Sequence, residues 1–255
     1  MKIAIGIEYD GSRFHGWQSQ PSGDTVQDHL EHALATIAGE PVRLAAAGRT
    51  DAGVHALAQV AHFETAAVRP ESAWVRGVNT LLAQAVAVQW AAPVAEDFHA
   101  RYSAIARTYR YLLYNHPVRP ALHHGHVGWF HLPLDADAMR AAIVHLLGEH
   151  DFSAFRSSEC QAKSPVRVMR SCKLEQHGSH LRFEFKANGF LHHMVRNIVG
   201  SLLPIGRGER PEQWLLELLQ GRDRAVAGPT APPQGLTFIG PRYPRTFGLP
   251  EEVCA

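Results

Sequence analysis

Isoleucines at 3, 5 and 7 alternate with Lys2, Ala4, Gly6 and Glu8, the two-residue period of a half-buried strand. The period changes at residue 25. Thr25-Val26-Gln27-Asp28 has the form of a capping box, and Val26, Leu30, Ala33, Leu34 and Ile37 then recur on one helical face as far as Gly39. An apolar run, 42–47, and a β-like run, 59–65, flank a short turn bounded by glycines. Residues 70–82 open on Pro70 and line up Trp74, Val78, Leu81 and Leu82 as a second helix, and 86–94 alternates as a strand. The order β-α-β-β-α-β predicts a split βαβ, ferredoxin-like unit, with an antiparallel sheet carrying helices on one face.

From residue 104 the pattern loosely repeats. Residues 104–114 are strongly β-prone, with apolar and charged side chains on both parities, so this strand faces something other than a plain core. Residues 115–133 hold Pro117, Pro120, Gly125, Gly128 and the histidines 123, 124 and 126, and read as a linker or crossover. A helix over 135–147 and a short apolar segment at 152–155 precede two antiparallel strands, 166–176 and 180–186, joined by His177-Gly178-Ser179. Helices over 191–205 and 211–219 and a closing strand at 237–243 complete the chain. The expectation is an α+β protein of two ferredoxin-like halves with antiparallel sheets around a central cleft, residues 1–103 and 104–255, related without detectable sequence repeat.

Composition narrows the classes. A chain of 255 residues, 45% hydrophobic, can bury one large core or two ordinary ones. The opening apolar run is cut short by Glu8, and the most apolar long stretch, 81–95, is interrupted by Gln84 and Gln89. A soluble cytoplasmic protein, without a membrane segment, is expected. Three cysteines without CxxC spacing, and 17 histidines without HExxH, argue against a zinc site or a disulfide scaffold. The net charge of +1 conceals a swing: residues 1–100 carry 6 Lys/Arg against 11 Asp/Glu, and residues 156–210 carry 10 against 4. A polyanion could therefore bind one region of a nearly neutral chain.

Candidate chemistry concentrates in a few places. Gly48-Arg49-Thr50-Asp51-Ala52-Gly53 presents a carboxylate, with an arginine two residues before it, on a loop tip between two strands. An ordinary polar turn has the same composition. Residues 9–24 form a long loop with Arg13, Phe14, His15, Trp17 and Gln18, either an RNA-contacting surface or a loop pinned by inward-folded aromatics. Tyr109 is a sheet aromatic, and Arg196 lies among Met194, Val195, Ile198 and Val199, where it either snorkels out or meets a partner carboxylate.

Taken together, Ala47-Gly48-Arg49-Thr50-Asp51-Ala52-Gly53-Val54-His55, Arg107-Thr108-Tyr109-Arg110-Tyr111 and the run from Phe190 through Arg196 to Gly200 closely resemble the tRNA pseudouridine synthase A family. Tyr9-Asp10-Gly11, Phe14 to Gln18, Thr25-Val26-Gln27 and Ala231 to Leu236 match it as well, so the resemblance spans essentially the whole chain. It implies isomerisation of uridine to pseudouridine at positions 38, 39 and 40 of the tRNA anticodon stem-loop, by a homodimer that needs no metal or organic cofactor. Asp51 matches the catalytic aspartate, as nucleophile at C1′ or as base at C2′. Arg196 matches the arginine that pairs with it, Tyr109 the tyrosine stacking on the target base, and Arg49 the arginine assisting base flipping. Two other readings remain open on the residues alone: a ferredoxin-like RNA-binding module without chemistry, and an N-ribosyl hydrolase.

Overall fold

The structure, a computed structural model, describes all 255 residues. Ten strands and four α-helices follow in the order β1 (Lys2–Tyr9), α1 (Val26–Ala38), β2 (Ala45–Ala46), β3 (His55–Glu64), β4 (Val86–Val94), β5 (Ala106–Asn115), β6 (Gly128–Phe130), α2 (Ala136–Ile143), β7 (Gly148–Asp151), β8 (Val166–His177), β9 (His180–Ala187), α3 (Met194–Gly206), α4 (Trp214–Gly221) and β10 (Leu236–Arg242). They form two compact units, Met1–Ala106 with Thr237–Ala255, and Arg107–Leu236. No helix is long and apolar enough to cross a membrane.

In the first unit β1 is central, antiparallel to β3 on one side and to β4 on the other. β2 pairs antiparallel with β3 at residues 61 and 62, which completes the ferredoxin-like order β4-β1-β3-β2. α1 begins where the capping box predicts: the Thr25 hydroxyl accepts from the Asp28 N–H, and Gly39 closes the helix in a left-handed conformation. Two expectations are corrected. The run 42–47 is strand only at Ala45–Ala46, because β3's other edge is shared: β10 lies parallel to it through Thr237↔His55 and Phe238↔Ala56. The segment 70–82 is helical but contains a π-turn at Ala73–Gly77, with Trp74 buried edge-on against Phe63 at 5.3 Å.

The closing strand and the tail, grouped by sequence with the second half, pack in this first unit. Tyr243, Leu249, Val253 and Cys254 join Ala4, Val60, Phe98 and Ala100 in one buried cluster, and the Tyr243 hydroxyl donates to the Ala100 carbonyl at 2.6 Å. Chain order could not reveal this return, since it depends on which apolar surface is left uncovered by the first 106 residues.

The second unit carries β5, β9, β8 and β7 in that order, all antiparallel, with β6 parallel to β5. The β8–β9 hairpin has His177 opposite His180 across a tight turn. Phe152, Phe155, Phe183, Phe185, Met139 and Leu202 are almost wholly buried and form the apolar interior. β6, inside the presumed linker, was not legible, since three residues are too few for a period. α3 starts three residues later than its apolar pattern, at Met194, because His193 takes a left-handed conformation (φ 61) that the helix cannot include.

Candidate active site

In the first unit Asp51 is half-buried on a loop whose backbone is bonded on every side. Its carbonyl accepts from the Val54 N–H at 3.1 Å, closing a tight turn in which Gly53 has φ +77, the sign a type II turn requires. The preceding carbonyl, that of Thr50, accepts from the Trp17 N–H at 3.0 Å, and the Gly48 carbonyl accepts from Gln59 Nε2 at 2.6 Å. The Thr50 side chain is buried against Tyr9, hydroxyl to hydroxyl at 2.6 Å. Arg49, on the same loop, is exposed.

The long loop after β1 forms the other wall of this turn. Phe14 and Trp17 fold inward, nearly buried, and pin the loop, while Arg13, His15 and Gln18 stay at the surface. Gly16 (φ +88) lies against the Asp51 turn so closely that a Cβ there would stand 2.8 Å from the Thr50 carbonyl oxygen. At the edge of the site His55 Nδ1 lies 3.1 Å from an Asp10 carboxylate oxygen and 3.1 Å from the Gly11 nitrogen. Burial pushes the Tyr9 phenol well above its ordinary range, against the opposing effect of hydrogen bonds with Thr50 and Gln59, so it remains neutral.

In the second unit Tyr109 lies on β5 opposite Phe185, and its ring meets Phe190 edge to face at 4.9 Å. Tyr109, Tyr111 and Leu113 are the buried parity of this strand. Arg196 is half-buried in the first turn of α3, where its Nε donates to the Ala231 carbonyl at 2.8 Å and the Ala231 N–H returns to the Arg196 carbonyl at 3.1 Å. Its positive charge also acts on the Tyr111 phenol, which burial drives upward and Arg196 draws down. The Tyr111 hydroxyl donates to the Pro232 carbonyl at 2.9 Å. The segment Ala231 to Leu236 thus lies against both Arg196 and Tyr111.

Asp51 and Arg49 therefore belong to one unit, Tyr109 and Arg196 to the other. Residues that sequence reasoning passed over are the supports: Tyr9, Thr50 and Gln59 beneath the Asp51 loop, and Asn197 beside Arg196. The signal available for Gln59 was an amide set between Ala58 and the apolar pair Val60-Ala61.

A family model described as "tRNA pseudouridine synthase" matches residues 5–103 and 142–244. Among curated proteins, "tRNA pseudouridine synthase A" of Dechloromonas aromatica (strain RCB) is 59% identical over 251 residues, covering 98% of this chain and 96% of that one. The protein of the same name from Polaromonas naphthalenivorans (strain CJ2) is 55% identical over 259 residues, covering 100% of this chain and 98% of that one. Of solved structures, a Cbf5-Nop10-Gar1 complex aligns with a TM-score of 0.38 and 13% identity over 79% of this chain and 45% of that one. On the family match and the near full-length relatives, the chain belongs to the tRNA pseudouridine synthase family.

Proposed function

We propose that this chain isomerises uridine to pseudouridine at positions 38, 39 and 40 of the tRNA anticodon stem-loop, as a cytoplasmic homodimer without metal or organic cofactor. The observation that carries the reading is the Asp51 loop, a carboxylate on a turn whose backbone is bonded at Gly48, Thr50 and Asp51. The reaction breaks the C1′–N1 bond, turns the uracil, joins C5 to C1′ and releases the C5 proton, while N1, freed from the ribose, takes up a proton, so that substrate and product are isomers. One fixed carboxylate beneath the ribose serves it, either by attacking C1′ or by taking the C2′ proton.

The other three residues follow from the same chemistry. Arg196 pairs with Asp51 as its counter-charge. Its position supports this: a cation in the first turn of a helix is opposed by the helix dipole, and α3 has no acidic side chain there to offset it. Tyr109, held upright by Phe190, stacks on the flipped uracil, and Arg49, exposed on the loop, enters the space that the base vacates. The excess of cations over 156–210 supports a backbone-binding surface for the tRNA.

tRNA tritiated at uracil C5 tests the reading. Tritium should pass to water with the parent protein, and release should fall by roughly 10²–10⁴-fold or to background in Asp51→Asn, with tRNA binding retained. Equal release by both proteins sinks the role of Asp51. Binding without release by either would leave an RNA-binding module, and free uracil would mark a hydrolase.

A further inference from the structure

Beneath the Asp51 loop lie three polar side chains to which the reaction assigns nothing: Tyr9 at the end of β1, Thr50, and Gln59 in β3, only 3%, 7% and 0% exposed. They are arranged around the loop backbone rather than around a ligand. Tyr9 and Thr50 join hydroxyl to hydroxyl at 2.6 Å, and Gln59 Nε2 reaches the Gly48 carbonyl at 2.6 Å. Gln59 also acts on the Tyr9 phenol, so the three form one set.

Stability alone does not explain them. The Gln59 Oε1 atom is buried without a hydrogen-bond partner, and an orphaned buried acceptor is destabilising. Its strand neighbours Val60 and Ala61 and its partner across the sheet, Ile7, are apolar and fully buried, so an apolar residue would serve packing better. The strand pairing is also adjusted here. Ile7 faces Gln59, but Tyr9 faces Ala56, so Leu57 and Ala58 together stand against Glu8. The extra residue is in β3, between Gln59 and the strand's start at His55 beside the Asp51 loop, and a bulge bends the strand that carries it.

We propose that Tyr9, Thr50 and Gln59 are positioning residues that lock the backbone of residues 48–51 and thereby the direction of the Asp51 carboxylate. The inference rests on the reading of Asp51 as the reacting carboxylate. With the Gly48 carbonyl, the Thr50 side chain and the carbonyls of Thr50 and Asp51 all bonded, only two side-chain torsions remain to Asp51. A reaction at C1′ is sensitive to that direction, since misplacement by about 1 Å can cost roughly 10²-fold in rate.

The test measures kcat and KM for tritium release, together with thermal unfolding, in Thr50→Val, Tyr9→Phe, Gln59→Met and the conservative Thr50→Ser. Thr50→Val, Tyr9→Phe and Gln59→Met should lower kcat by roughly 10- to 100-fold with KM within about threefold, and Thr50→Ser should stay within about threefold of the parent. Gln59→Met should lose rate while unfolding no earlier than the parent, because it removes an orphaned acceptor; a merely structural role predicts the opposite pairing. Parent-like kcat in folded Gln59→Met and Thr50→Val overturns the proposal, as does a rate loss that vanishes on cooling below the unfolding range. If Thr50→Val does not fold, Tyr9→Phe, which removes one oxygen from the same pair, decides. An inactive parent, or an active Asp51→Asn, instead overturns the reaction itself and is read on the same assay.

Discussion

The two units bury polar groups in different measure. Of ten buried polar or charged side chains, eight (Lys2, Thr25, Glu31, Thr50, His55, Gln59, His62 and Thr65) belong to the first unit and only Asn197 and Ser201 to the second. The first unit spreads them over its loops: Glu31 accepts from Gln27, Arg43 and the Leu44 N–H, Lys2 donates to the Glu96 and Phe98 carbonyls, and Thr50 and Gln59 hold the Asp51 turn. The second concentrates the task on one helix. Asn197, the residue after Arg196, donates to the Phe155 carbonyl and accepts from Thr230 and Arg224, and the Ser201 hydroxyl accepts from the Gly228 N–H. In the first unit only part of this polarity, Thr50 and Gln59, lies at the Asp51 loop, whereas in the second both groups lie on the helix of Arg196. In each, backbone without regular pairing finds its partners in side chains.

If the second unit rests its site on so few groups, each should weigh more. Asn197→Ala leaves the Phe155 carbonyl without its side-chain donor and takes one acceptor from each of Thr230 and Arg224, and a loss of about 2–4 kcal/mol in stability is expected from urea unfolding. A loss below that of an average surface substitution would break the comparison.

The first unit's polarity should show itself instead as pH dependence. The His62 ring accepts the Ala100 N–H at Nδ1 and packs against Phe98 and His99; burial, with the charges of His99 and Lys2, depresses its pKa to about 4. The unfolded chain then takes up the proton first, near pH 6.5, so the stability is complete above that pH and lost as pH falls toward 4. Between pH 7.5 and 5 the loss from His62 should be about 2 kcal/mol. His99, depressed by burial and by Lys2, acts in the same direction. His62→Gln should flatten the dependence by that amount in urea midpoints taken at the two pH values, and an unchanged slope would remove His62 from the account.

The smallest effect sharpens the distinction between buried and surface polarity. Arg43 is 82% exposed although its partner Glu31 is buried, so Arg43→Ala should cost less than about 1 kcal/mol, measured in the same way. A larger cost would mean that Glu31 depends on the ion pair more than on its bonds to Gln27 and Leu44.

Much of this protein could be read before any coordinates. The strand period of 2–8, the capping box at Thr25, the β8–β9 hairpin and the α+β class all follow from local pattern, and local pattern survives folding where burial is one-sided. The motifs around Asp51, Tyr109 and Arg196 pointed to the family for the same reason: their residue types are set by chemistry at one place. What chain order could not supply lies where distant segments compete for one surface. β10 and the tail return to the first unit, and the run 42–47 keeps only two strand residues, because an edge of β3 has room for both β2 and β10 only in part. α3 begins at Met194 because His193 turns left-handed, which no apolar period records. The supports of the Asp51 loop belong to the same category. Tyr9, Thr50 and Gln59 are ordinary strand and turn residues in sequence, and only the pairing of β1 with β3 and the return of the Asp51 loop bring them together, since a hydrogen-bonded set is a property of distances that pattern does not contain.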